Sequence, residues 1–270
     1  MTPHPPVARR TVPLPSGTQL PLLGFGTWQL RGDEARVATT TALEVGYRHV
    51  DTATMYGNEQ EVGQAVRDSG LDRAEVFLTT KLPPDQAGRA RATLQESLHL
   101  LGTDWVDLWL IHWPTAPEQL VPTWQAFLAA RDEGVARDVG VSNFSLAQID
   151  VLTAATGVTP AVNQISWSPL LFDRAVLEGH AERGVVLEGY SALRNGALEH
   201  PVIVDIADRV RRTPAQVILR WHLHHDTVAI PKSSDPERIA GNADLDFALS
   251  PADLAALDAL GPSGHTGSPA

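Results

Sequence analysis

Four polar side chains with complementary chemistry stand at or just beyond the ends of short apolar runs: Asp51, Tyr56, Lys81 and His112. A tyrosine phenol has an ordinary pKa of about 10. A neighbouring ammonium stabilises the phenolate and lowers that value, which makes the phenol a usable acid near neutral pH. A carboxylate beside the lysine would hold it in place and keep it protonated, and a histidine can orient a carbonyl oxygen by hydrogen bonding. The set suits protonation of an oxygen while hydride arrives at the adjacent carbon. Each residue also has an ordinary explanation: Asp51 as a turn or helix cap, Lys81 snorkelling, Tyr56 in a loop, His112 satisfied in the core. Only their joint occurrence points to chemistry. The set is not that of a Ser-His-Asp hydrolase, and Gly189-Tyr190-Ser191-Ala192-Leu193 departs from the G-x-S-x-G elbow at its last position.

Other run ends carry functional groups too. Ser142 and Asn143 follow one run, Gln164 ends another, Tyr190 and Ser191 a third, and Lys232 and Ser233 follow the last. Tyr190 offers a flat face for an aromatic ring, while Asn143 and Gln164 can hydrogen-bond a carboxamide. Lys232 and Arg238 lie six residues apart, near a helix start after Pro236. Helix N-termini and basic side chains bind phosphate, although Asp235 and Glu237 also allow a solvated surface pair. Gly24-Phe25-Gly26 fails as a dinucleotide fingerprint because its third glycine position is Gln29. His222, His224 and His225 are dense in sequence. On a helix, however, 222 and 225 share a face and 224 does not, so a partly exposed face is expected and no metal site.

The elements that must position these residues are legible as alternation. Val12–Leu14 and Gln19–Leu22 flank the turn Pro15-Ser16-Gly17 and read as a hairpin. Eight apolar runs then start near residues 22, 47, 76, 106, 138, 161, 185 and 228. Helical patterns lie between them: Gln86–Leu101 before Gly102, Glu118–Glu133 before Gly134 and Asp173–Arg183 before Gly184. Pro214 opens another, and Ser250-Pro251 starts a final one over Ala252–Leu260. Eight strand–helix units predict an α/β fold, a (β/α)8 TIM barrel preceded by a β-hairpin, whose functional face is the C-terminal rim of the strands. An extra segment, 194–212, fills the long last interval. A doubly wound open sheet is the structural alternative. No Ser/Gly-rich linker divides the chain, so 1–270 reads as one domain with 1–10 and 261–270 loose.

Composition narrows the classes. The 270 residues are 43% hydrophobic and 20% charged, typical of a globular chain. A net charge of −11 opposes nonspecific nucleic-acid binding. The absence of cysteine excludes disulfides and thiolate chemistry. No apolar run approaches 18 residues, and no signal-peptide core follows Arg9 and Arg10, so a cytoplasmic protein with no membrane partner is expected.

Taken in order, GFGTW (24–28), GYRHVDTATMYGNEQEVGQAV (46–66), FLTTKL (77–82), DWVDLWLIHWP (104–114), VGVSNF (139–144), VNQISWSP (162–169), GYSAL (189–193), TPAQVILRW (213–221) and IPKSSDPERIAGN (230–242) resemble the aldo-keto reductases, NAD(P)H-dependent barrel oxidoreductases. The likeness is to short bacterial-type members such as 2,5-diketo-D-gluconate reductases. It implies reversible reduction of an aldehyde or ketone by hydride from NADPH, with Tyr56 as general acid, Lys81 and Asp51 tuning it and His112 orienting the carbonyl. It implies cofactor contacts from Thr27, Asp51, Ser142, Asn143, Gln164, Tyr190, Ser191 and Leu193. Lys232, Ser233 and Arg238 would hold the 2′-phosphate, Asn242 the adenine. Trp28, Met55 and Trp113 would wall the substrate pocket.

The resemblance further implies a monomer with no obligate protein partner. Asp235 would repel a 2′-phosphate and leaves NADH possible. Gly241 removes an acidic adenine contact, Ser166 replaces a frequent Glu, and a short tail after Leu260 implies an open pocket. The alternative is a non-catalytic, nucleotide-sensing regulatory protein on the same barrel; the complete four-residue set favours the enzyme. A third possibility, an isomerase or metal-dependent hydrolase, lacks a carboxylate–histidine metal cluster.

Overall fold

A computed structural model describes residues 10–262. The loose ends expected at 1–10 and 261–270 therefore lie mostly outside the described residues. Arg10 is anchored, donating to the Leu223 carbonyl at 2.5 Å and pairing with Asp226. Strands β1 (Thr11–Pro13) and β2 (Gln19–Pro21) form the expected antiparallel hairpin. Its turn docks under the barrel, where the Ser16 amide donates to Asp138 at 3.2 Å.

Eight parallel strands follow. They are β3 (Phe25–Gly26), β4 (His49–Asp51), β5 (Phe77–Leu82), β6 (Val106–Ile111), β7 (Ala136–Ser142), β8 (Val162–Ser166), β9 (Val186–Tyr190) and β10 (Val228–Ala229). Each pairs in parallel with its sequence neighbour. A parallel bridge between Leu23 and Ala229 joins the first strand to the last, with Gly24 N–H donating to Ala229 O at 2.9 Å and Ala229 N–H to Leu22 O at 2.8 Å. The sheet is thus a barrel, not the open alternative. The Gly24-Phe25-Gly26 stretch serves this closure. A Cβ on Gly24 would lie 2.5 Å from the His49 ring, and one on Gly26 would lie 2.7 Å from the Ile230 carbonyl.

Helices cover the outside: α1 (Gly32–Val45), α2 (Glu59–Asp68), α3 (Ala90–Leu101), α4 (Pro117–Asp132), α5 (Leu146–Thr156) and α6 (Arg174–Glu182). Between β9 and β10, the expected extra segment carries α7 (Pro201–Val210), followed by α8 (Pro214–His224). Helices α9 (Pro236–Ala243) and α10 (Pro251–Asp258) end the described chain. Gly102, Gly134 and Gly184 all take the left-handed conformation read for them, with φ of 65°, 78° and 68°. The helix expected from Gln86 begins instead as a 3₁₀ stretch over Pro84–Arg89 and turns α-helical only at Ala90. Gly88 disfavours the earlier start, because glycine is among the weakest α-helix formers.

The histidine cluster differs from its expected half-exposed face. His222 is wholly buried, and His225 bonds Asp258 at 2.8 Å. His222 fits against the barrel because position 189 is glycine; a Cβ there would meet its ring at 2.5 Å. Burial and the neighbouring His225 push the His222 pKa down to about 3. Among the described residues no group of three His, Asp or Glu is placed to hold a metal.

Candidate active site

Asp51 is the last residue of β4, and Lys81 lies near the end of β5, the adjacent strand. A 3₁₀ turn over Thr54–Tyr56 carries the phenol back over this rim. Lys81 is fully buried, and its Nζ donates to Asp51 Oδ1 at 2.6 Å, Thr52 O at 2.9 Å and Tyr56 Oη at 3.2 Å. An ammonium has three donors, so all are committed. Tyr56 Oη is therefore an acceptor towards Lys81, and its own hydrogen is left for the cavity that Tyr56 lines.

The electrostatics depart from the sequence expectation at one point. Burial raises the Tyr56 pKa above its ordinary value; Lys81 pulls it down and Asp51 pushes it up, and the net direction is upward. Burial disfavours the charge on Lys81, but Asp51 and Tyr56 outweigh it and its pKa is raised. His112 follows β6 directly, with its ring 5.7 Å from that of Tyr56 and edge-to-face. Burial, then the Lys81 charge, hold His112 down to about 3, so it is a neutral imidazole. Its Nδ1 has no hydrogen-bond partner.

A belt of side-chain bonds runs from this group across the barrel mouth. Gln164 on β8 donates from Nε2 to Asp51 Oδ2 and to Glu188 Oε1, both at 2.8 Å. Ser142 Oγ donates to the Gln164 carbonyl at 2.8 Å, Asn143 Nδ2 donates to Ser142 Oγ at 3.0 Å, and Tyr190 Oη donates to Asn143 Oδ1 at 2.8 Å. With its amide nitrogen doubly used, Gln164 has its Oε1 left to face a ligand in the cavity. Thr27 does not line the cavity; its hydroxyl donates to the Asp51 carbonyl at 2.9 Å and supports the rim from behind. Gln29, Asn143 and Ser191 are non-glycine residues at φ of 67°, 63° and 56°. All three sit in loops leaving barrel strands at this mouth, and such backbone conformations concentrate at functional sites.

The mouth opens into a cavity of about 980 Å³. Asp51, Met55, Tyr56, His112, Trp113 and Trp28 line it, together with Gln164, Tyr190, Ser191 and Leu193 and with Lys232, Ser233, Arg238 and Asn242. Trp28, Met55 and Trp113 are 42%, 57% and 47% exposed, an unusual display for large apolar groups and consistent with a substrate wall. Asp235, also in the lining, caps α9, accepting from Glu237 N–H at 2.9 Å and Arg238 N–H at 3.0 Å. It also lies 3.5 Å from the Arg238 guanidinium. The helix N-terminus expected to bind phosphate is thus already occupied by a carboxylate.

Two residues escaped the sequence reading. Arg194 stacks over the Trp28 ring at 4.5 Å and donates to Gln29 Oε1 at 2.9 Å, tying the loop after β9 to the loop after β3. Glu188 lies inside β9, wholly buried, two residues before Tyr190 on the same face of the strand. Its signal was a charge within an otherwise apolar run.

A closed eight-stranded barrel with a buried lysine hydrogen-bonded to a phenol at the mouth of a cleft is the architecture of a barrel enzyme. The sequence matches the Aldo/keto reductase family over residues 22–262, and the chain belongs to that family of carbonyl-reducing, NAD(P)H-dependent oxidoreductases. It is 44% identical over 265 residues to a morphine 6-dehydrogenase of Pseudomonas putida, covering 92% of this chain and 90% of that one. It is 40% identical over 254 residues to the methylglyoxal reductase DkgA of Escherichia coli K12, covering 92% of each. A crystal structure of an aldo/keto reductase from Brucella melitensis superposes with a TM-score of 0.89 at 43% identity, covering 94% of this chain and all of that one.

Proposed function

We propose that this reductase uses NADPH and that Tyr56 is its general acid. The observation that carries the reading is the complete commitment of the Lys81 ammonium, with one N–H placed on Tyr56 Oη. When bound, the nicotinamide ring supplies a hydride to the carbonyl carbon. Tyr56 then gives its proton to the carbonyl oxygen. The phenolate left behind is stabilised by an ammonium already in place, so no reorganisation is needed as charge develops. Neutral His112 offers a hydrogen bond that orients the carbonyl oxygen. Asp51 keeps Lys81 charged and fixed.

The chain fits the cofactor at three places. Gln164 Oε1 is an unengaged acceptor suited to a carboxamide N–H, and the Tyr190 ring, held by Asn143, offers a flat face to the nicotinamide. Lys232 and Arg238 are exposed cations in the lining of the same cavity, suited to a 2′-phosphate. Asp235 reduces, without abolishing, the preference over NADH. The indole and thioether walls favour a carbonyl flanked by apolar surface. Relatives named for methylglyoxal and morphine suggest a small 2-oxoaldehyde and a polycyclic secondary alcohol as first substrates for the two directions.

The test has two parts. Quenching of tryptophan fluorescence on titration with NADPH and NADH reads binding. Oxidation of NADPH in the presence of those carbonyls reads turnover, with Tyr56→Phe as the control. Tight NADPH binding with turnover that vanishes in Tyr56→Phe is the expected result. Binding without turnover of any carbonyl would favour the nucleotide-sensing alternative, and no binding would overturn the reading.

A further inference from the structure

The mouth of the barrel holds one more carboxyl than the chemistry above uses. Asp51, Lys81, Gln164 and Glu188 form one buried group: Gln164 Nε2 bridges the two carboxyls at 2.8 Å each, and Lys81 touches only Asp51. Glu188 has no exposed surface, and its Oε2 has no hydrogen-bond partner. One ammonium cannot neutralise two carboxylates in a dry site, and like charges so close cannot both ionise at neutral pH. Asp51, in direct contact with the ammonium, is the one that keeps its charge. We propose that Glu188 is a positioning residue for the hydride-transfer site: it holds Gln164 with its carbonyl oxygen towards the cofactor, and its own ionisation couples the site to the oxidation state of the nicotinamide.

The coupling follows from charge. The oxidised ring is cationic and the reduced ring neutral, so an ionised Glu188, adjacent to Gln164 and one layer below Tyr190, favours the oxidised form. Burial and the Asp51 charge lift the Glu188 pKa to about 8, against the pull of Lys81. The histidines, phenol and ammonium of this region do not titrate in the same window. Burial holds His49, His112 and His222 near 3, and Tyr56 and Lys81 are both raised from values already above 9. Asp51 is also raised by burial, against the pull of Lys81, so the carboxyl titration belongs to the pair.

The first test needs no cofactor. Thermal unfolding of the wild type and of Glu188→Gln, an isostere of the protonated form, is followed by circular dichroism from pH 5 to 9.5. A carboxyl with a raised folded-state pKa loses its stabilising contribution as pH rises from its unfolded value through its folded one. The advantage in Tm of Glu188→Gln over the wild type should therefore grow up to about pH 8 and level off above it. A merely structural role would give a constant offset, and that result overturns the proposal.

The second test rests on the NADPH reading above and uses wild type alone. Calorimetry at pH 7.5 in two buffers of different ionisation enthalpy should show more proton release with NADP⁺ than with NADPH. Equal release would remove the coupling, whereas failure to bind either nucleotide would sink the cofactor reading while the unfolding test still judged Glu188.

Discussion

Replacing Lys81 by methionine removes the charge at the centre of the site while keeping most of its length and volume. In the native protein the ammonium makes three hydrogen bonds, to Asp51, Thr52 and Tyr56, and has no solvent contact. Without it, Asp51 is a buried carboxylate with only Gln164 as a side-chain donor and Glu188 on the far side of that amide. Removing one partner of a buried pair costs about 3–5 kcal/mol, and the Thr52 carbonyl loses a donor as well, about 1 kcal/mol. Asp51 can limit the loss by taking up a proton. Its folded pKa would then stand above its unfolded value, so the variant's deficit should be smallest near pH 5 and should grow as pH rises. Urea unfolding monitored by circular dichroism, with unchanged slope, reads the loss as a shift in midpoint. The companion variants are Asp51→Asn and the double variant, in which both charges are gone. The double variant should lose several kcal/mol less than the sum of the singles, because neither leaves an unpaired charge behind. A loss below about 1 kcal/mol for Lys81→Met at pH 7, or additive losses in the double variant, would refute the picture of a desolvated pair.

Tyr56→Phe should lower kcat by roughly 10²–10⁴ while leaving NADPH affinity unchanged, as steady-state rates and fluorescence titration would show. Asp235→Asn keeps the α9 cap, since Asn caps as well as Asp, but removes a charge beside Arg238. It should raise the ratio of NADPH to NADH affinity by roughly threefold to tenfold at low salt and by less at high salt. Gly26→Ala places a methyl against the Ile230 carbonyl where the barrel closes. It should cost about 1–3 kcal/mol in urea unfolding, with the hairpin and helical content retained by circular dichroism.

The barrel was legible because each strand is an apolar run and nearly every run end carries a polar group, a pattern that survives without any knowledge of contacts. What the runs could not show was depth. Glu188 sits within Val185–Tyr190, and a reading that questioned only run ends passed over it. Its importance depends on Gln164 reaching both it and Asp51, a contact between residues 113 positions apart at its longer arm. Asp235 was seen as a charge facing phosphate, but its second role as the α9 cap depends on backbone geometry. The Gly24-Phe25-Gly26 stretch fails as a nucleotide loop on its spacing alone, but what its glycines do instead appears only where the barrel closes. His222 was misplaced because the space that receives its ring is created by Gly189, on another element.

The phenol is the sharpest case. From sequence, Lys81 beside Tyr56 implies a lowered pKa; in the folded protein burial prevails and the net direction is upward. The two statements describe different moments of one process. Before substrate binds, burial penalises the phenolate, and Tyr56 keeps its proton at any physiological pH, as an acid must. Lys81 cannot relax that penalty fully because the Asp51 charge opposes it. On the proposed reading, when negative charge begins to form on a substrate oxygen at the cavity end of Tyr56, the proton moves outward and the phenolate forms against an ammonium that is already desolvated and fully hydrogen-bonded. That interaction is stronger in the transition state than in the ground state, which is the condition for accelerating the chemical step. On that reading burial is part of the catalytic arrangement, and Lys81 is the one lysine or arginine that is buried among the described residues.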